Sequence, residues 1–135
     1  MTEFPLKVPA IIKGAIFAST LALVVALGAC KTAPVAIPQD LDAPSLVLKA
    51  QEASDASDYD LSLRYYQALI DRFGDDPANL AAGDYEIAFI TYKQGHEARA
   101  KELFTKLLAL YDGTGGDAFP ERYKVLAQKI LAEIH

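Results

Sequence analysis

The side chains able to do covalent or acid–base chemistry are few. Cys30 is the sole cysteine among 135 residues. It has no partner within the chain, so an internal disulfide and a cysteine-built zinc or iron–sulfur centre are both excluded. Its thiol can still carry one covalent group, and the three residues before it, Leu27, Gly28 and Ala29, are one aliphatic and two small side chains. Of the two histidines, His135 ends the sequence, and His96 has neither a nucleophile nor a second metal ligand at useful spacing. Asp75 and Asp76 precede Pro77 and read as turn formers rather than as an acid and base pair. The glycines of residues 112–117 lack the strand before and the lysine after that a phosphate-binding loop needs. An enzyme is not expected, and neither a cofactor nor a metal. What remains is binding chemistry: Tyr85, Phe89 and Tyr92 are spaced i, i+4, i+7, which puts three rings on one helical face, with Lys93 beside them. Such a stripe either lines a groove or packs into a core.

The elements that must position these residues begin with an apolar leader. Residues 14–30 carry no charge, and Lys7 and Lys13 lie just ahead of them. This is the layout of a secretory signal, and the run is also near the lower limit for an uncleaved anchor helix. Leu27, Gly28, Ala29 and Cys30 resemble the lipobox of bacterial lipoproteins. That resemblance implies cleavage behind Ala29, a lipidated Cys30 as the mature N-terminus, and attachment to the membrane through acyl chains rather than a spanning helix. Lys31, where an aspartate would favour retention at the inner membrane, is similar to the outer-membrane class, so the expected place is the periplasmic side of the outer membrane. Loss of residues 1–29 removes Lys7, Lys13 and Glu3 and makes the remainder one unit more negative than the formal −5 of the whole chain. An acidic chain, with a pI near 4.9, repels polyanions, so nucleic acid is not an expected partner.

After a proline-containing segment, residues 31–42, that suits an extended tether, the apolar period is helical throughout. In 58–73 it falls on Ser62, Tyr65, Tyr66, Leu69, Ile70 and Phe73; in 96–111 on Ala100, Leu103, Phe104, Leu107, Leu108 and Tyr111. The two sets superimpose with an offset of 38 positions. Each is preceded by another helical stretch, 45–54 and 79–93, so the spacing predicts two helix-turn-helix units, about 43–76 and 79–112. Ser45 and Asn79 are the expected N-caps, and Gly74 and Gly95 the expected stops. The glycine-rich stretch 112–117 reads as a flexible loop. A last helix, about 119–134, presents Tyr123, Leu126, Ala127, Ile130, Leu131 and Ile134 as one stripe. No alternation of period two suggests a strand. Six acids and one lysine between Asp40 and Asp60 form either a solvated face or a surface that steers a basic partner.

The stretch from Tyr92 through Gly95 to Ala100, Phe104 and Leu108 resembles the turn and second helix of a tetratricopeptide (TPR) repeat. Ala50 and Ser62, and Ala88 and Ala100, match the small residues at which the family's helix pairs cross. The period is longer than the usual ~34 residues, Asp84 stands where a tryptophan is usual, and Gly74 and Asp112 replace the customary closing proline. The resemblance covers about residues 43–112. It implies an all-α fold: a short α-solenoid of two TPR-like units with the C-terminal helix as a cap, or as half of a repeat shared with another chain; the uncharged leader adds an N-terminal signal helix ahead of it. It also implies that Tyr85, Phe89, Tyr92 and Lys93 match the family's ligand-facing positions, a shallow aromatic groove for a peptide. The implied function is a protein-binding adaptor or assembly factor of the cell envelope; a small-ligand binder and a structural, pilotin-like subunit are the alternatives.

Overall fold

Aspartate side chains begin three of the helices. The structure is a computed structural model describing residues 35–134, and Asp42, Asp58 and Asp76 each turn a carboxylate oxygen onto an otherwise unpaired backbone N–H of a first turn: Ser45 at 2.9 Å, Leu61 at 3.1 Å and Ala78 at 2.7 Å. They start α1 (Ala43–Asp55), α2 (Tyr59–Phe73) and α3 (Pro77–Lys93). The expected caps Ser45 and Asn79 are therefore corrected to Asp42 and Asp76. In both cases a proline fits the first turn without forfeiting a hydrogen bond, and the helix begins earlier than its apolar period shows. Then follow α4 (Glu97–Asp112), a 3₁₀ turn (Gly116–Ala118) in the stretch expected to be only loop, and α5 (Glu121–Glu133). The described residues are all-α, without a strand. Residues 1–34, which include the expected signal segment and Cys30, and His135 lie outside them.

The turn α1–α2 and the turn α3–α4 are one design used twice. In the first, Ala56, Ser57 and Asp58 donate back to the carbonyls of Glu52, Ser54 and Ala53; in the second, Gln94, Gly95 and His96 donate to those of Ile90, Tyr92 and Thr91. Every donor and acceptor is displaced by the same 38 positions as the apolar pattern. The middle residue of each turn takes the left-handed conformation, φ 61° at Ser57 and 80° at Gly95. Only glycine adopts it freely, so Ser57 is strained where Gly95 is not.

Small residues let the paired helices touch. Ala50 and Ser62 are fully buried where α1 meets α2, and the Ser62 hydroxyl donates to the Ala50 carbonyl at 2.8 Å. Ala88 and Ala100 are equally buried where α3 meets α4. Helix α2 approaches α3 at Gly83, where an added Cβ would stand 2.5 Å from Ile70 Cγ1. Helix α3 is thus packed from several sides. Its Ile90 joins Leu46, Ala50, Tyr65, Tyr66 and Leu69 in one cluster, while its Ala81, Tyr85 and Ala88 join Ala100, Phe104, Leu107 and Ala127 in the other.

Two expected features differ. Leu126, placed by the period on the buried stripe of the last helix, is 40% exposed; Ala127 and Ile134 are buried and Tyr123, Ile130 and Leu131 partly so. The end of the expected tether is docked: Ile37 and Leu41 pack on the first cluster, and Arg72 Nη1 donates to the Pro38 carbonyl at 2.7 Å.

The two turns are each half optimised. Unit one has an aspartate cap but a strained Ser57; unit two has Gly95 but, at the N-cap, His96, whose side chain makes no capping bond. Ser57→Gly and His96→Asp should each raise stability by about 0.5–1 kcal/mol in chemical denaturation. A loss in either variant would contradict the turn geometry.

Candidate functional site

The face expected to bind begins with Tyr85, and the structure buries it. Tyr85 is 7% exposed, and its ring lies 5.8 Å from that of Phe104, 5.6 Å from Tyr123 and 5.9 Å, nearly parallel, from Phe89. At this position the core reading of the aromatic stripe holds, because α5 brings Tyr123 against it. Phe89 and Tyr92 are half-buried against the same cluster. Lys93 alone of the four is exposed, with Nζ 5.1 Å from the Tyr59 ring centroid and 6.0 Å from that of Phe89, in cation–π range. Glu86 shares this side of α3; burial pushes its carboxyl up from the usual range, and the charge of Lys93 partly restores it. Leu27, Gly28, Ala29 and Cys30 lie outside the described residues.

The opposite side of α3 opens into a cleft of about 470 Å³ that the reading of the sequence missed. Asp84, Ile87 and Thr91, spaced i, i+3, i+7, supply its α3 wall. Leu63, Arg64 and Gln67 come from α2, and Arg99, Leu103 and Lys106 from α4. Apolar side chains meet three cations here and only one acid. Thr91 spends its hydroxyl on the Ile87 carbonyl, 2.7 Å away. Arg99 pairs with Glu102 at 2.7 Å, but both side chains are about two-thirds exposed, 65% and 67%.

Asp84 gives the cleft its character. Burial pushes its carboxyl up from the ordinary value, and Lys106 pulls it partly back. Moved back by the repeat offset, its place in the first unit is held by Leu46, which is completely buried. A position that is core in one unit is thus a half-buried carboxylate in the other. The signal was present in the sequence, in Asp84 standing where the TPR pattern has a tryptophan. What was missing was the neighbour: Leu63 and Arg64 lie in the other unit, and only the α2–α3 packing brings them to the wall.

No family model matches the chain, and no solved structure matches it. A protein of Treponema pallidum (strain Nichols), named only as an uncharacterized protein, is 30% identical over 110 residues, covering 80% of this chain and 44% of the relative. The chain therefore spans less than half the length of that relative.

Tyr85→Ala should cost about 3 kcal/mol or more in denaturant unfolding, as expected for removing a buried ring; a loss under about 1 kcal/mol would place Tyr85 on the surface instead. Asp84 binds its proton more tightly when folded, so its charge opposes folding at neutral pH. That opposition is absent below the ordinary carboxylate range and grows as pH rises through the raised folded value. Asp84→Asn should therefore raise Tm at pH 7 while changing it little near pH 4, as read in paired thermal melts; a variant less stable at pH 7 would contradict the burial of the charge.

Proposed function

We propose that this chain is an exported bacterial lipoprotein, anchored by lipid on Cys30 after cleavage behind Ala29, whose domain acts as a protein-binding adaptor in the cell envelope. On this reading the all-α domain is a short α-solenoid of two TPR-like units capped by α5, held at the periplasmic side of the outer membrane. The observation that carries it is the duplicated turn: the same three backbone hydrogen bonds and the same left-handed middle residue recur at the offset that aligns the buried crossing pairs Ala50–Ser62 and Ala88–Ala100. Helices that pack chiefly on their sequence neighbours support a repeat stack, since each repeat buries its apolar face on the next.

The anchor reading rests on Leu27, Gly28, Ala29 and Cys30 following an uncharged run. Among the described residues no helix is long and apolar enough to cross a membrane. With Tyr85 in the core, the cleft at Asp84 is a surface open to a partner. An adaptor of this kind works by placing surfaces, and what it needs is a rigid groove at a fixed distance from a membrane.

The test uses the full chain expressed in a bacterium fed labelled palmitate, followed by in-cell crosslinking and purification. The wild type should carry the label and bring down a defined set of envelope proteins, and Cys30→Ser should lose both. Label retained on the Cys30→Ser protein would overturn the anchor, and an empty crosslinked set from the wild type would overturn the adaptor.

A further inference from the structure

Deepening the adaptor reading, on which this inference rests, we propose that the cleft between α2, α3 and α4 receives an acidic segment of a partner protein. Its aliphatic or aromatic side chains would rest on Leu63, Ile87 and Leu103, and its carboxylates would meet Arg64, Arg99 and Lys106.

Charge is the first argument. The chain carries eighteen acids against thirteen bases, yet the cleft gathers three cations around one acid. A basic partner steered by the acidic stretch near the α1–α2 turn would be turned away at this surface, and an acidic one drawn in. The cations are also available. Among the described residues no ion pair engages Arg64 or Lys106, and the Arg99–Glu102 pair is exposed enough to open at little cost. Two of the three are arginines, whose planar forks take a carboxylate through two parallel hydrogen bonds.

Shape is the second argument. The cleft is more open than enclosed, and its apolar side chains come from three separate helices. That arrangement suits a peptide lying along α3, with side chains reaching both walls, better than a small molecule that must be enclosed to be held.

Asp84 supplies selectivity. As an acid among the lining residues it repels a carboxylate that descends between the walls, so the acids of the partner segment must stay at the level of Arg64, Arg99 and Lys106. It is also an acceptor for backbone N–H groups of the incoming segment. A leucine here, as at Leu46 in the first unit, would fill the space and close the cleft.

The test selects displayed random peptides on the full chain in detergent, then measures a selected peptide by fluorescence anisotropy. Enriched sequences should pair Asp or Glu with a neighbouring Leu, Ile or Phe. Their affinity should fall about tenfold or more in the double variant Arg64→Glu and Lys106→Glu, a loss of about 1.4 kcal/mol or more, and should weaken from about 50 mM to about 500 mM salt. Lys129→Glu, on the exposed surface of α5 and away from the cleft, should leave binding unchanged. If the double reversal lowers helicity, Arg64→Gln with Lys106→Gln makes the same comparison. Basic or charge-neutral winners, or acidic winners indifferent to the cleft variants, would overturn the proposal. Winners sensitive to Lys129→Glu alone would overturn it while leaving the adaptor reading intact, and the absence of any enriched peptide would overturn both.

Discussion

Two helices can share a buried seam only if their backbones come close, and the side chains at the crossing decide how close. In this domain the crossings are built from Ala50 with Ser62, from Ala88 with Ala100, and from Gly83 against Ile70. Interaxial distances of ~8–10 Å leave no room for larger groups at such points. Once the crossings are set, Tyr66 and Leu69 in one pair, and Phe104 and Leu107 in the other, fall into the space beside them and are almost completely buried. The Ser62 hydroxyl gives the first crossing a directional bond as well, since it must either reach the Ala50 carbonyl or remain buried without a partner. The cleft is a by-product of the same spacing: α2 and α4 flank α3 closely enough to form walls, while Asp84 keeps the gap from filling.

Helix α3 carries the greatest load. It contributes Ile90 to one apolar cluster and Tyr85 and Ala88 to the other, touches α2 through Gly83, and presents Asp84, Ile87 and Thr91 to the cleft. A helix used on all sides cannot show a clean amphipathic stripe, because every face has an occupant. Its outer edge is held by Lys93 above the Tyr59 and Phe89 rings, and burial keeps the carboxyls of both Asp84 and Glu86 more basic than usual, one on each side. Half-buried acids facing opposite ways on one helix are costly to keep, because burial disfavours the charged form of each.

Most of the helical order was legible in the sequence, because periods of 3.6 residues and a repeated offset are local signals. The crossing pairs were legible for the same reason. Helix starts were not, since the apolar period begins inside the helix while the cap lies outside it; Asp42 and Asp76 precede their prolines and look like turn residues until the hydrogen bonds are seen. The ambiguity at Tyr85 was intrinsic. Three rings on one face describe a groove and a core equally well, and only the arrival of Tyr123 from α5 decides it. Leu126 failed for a related reason: a wide apolar stripe exceeds what a single neighbouring surface can cover. The cleft needed contacts between units, which no local pattern encodes.

The bond from Arg72 to the Pro38 carbonyl, with Ile37 and Leu41 seated on the first cluster, ties the segment ahead of α1 to the end of α2. A pull on the chain ahead of residue 37 would be shared between the covalent path into α1 and the Arg72 contact on the end of α2, so both helices of the first pair would take the load.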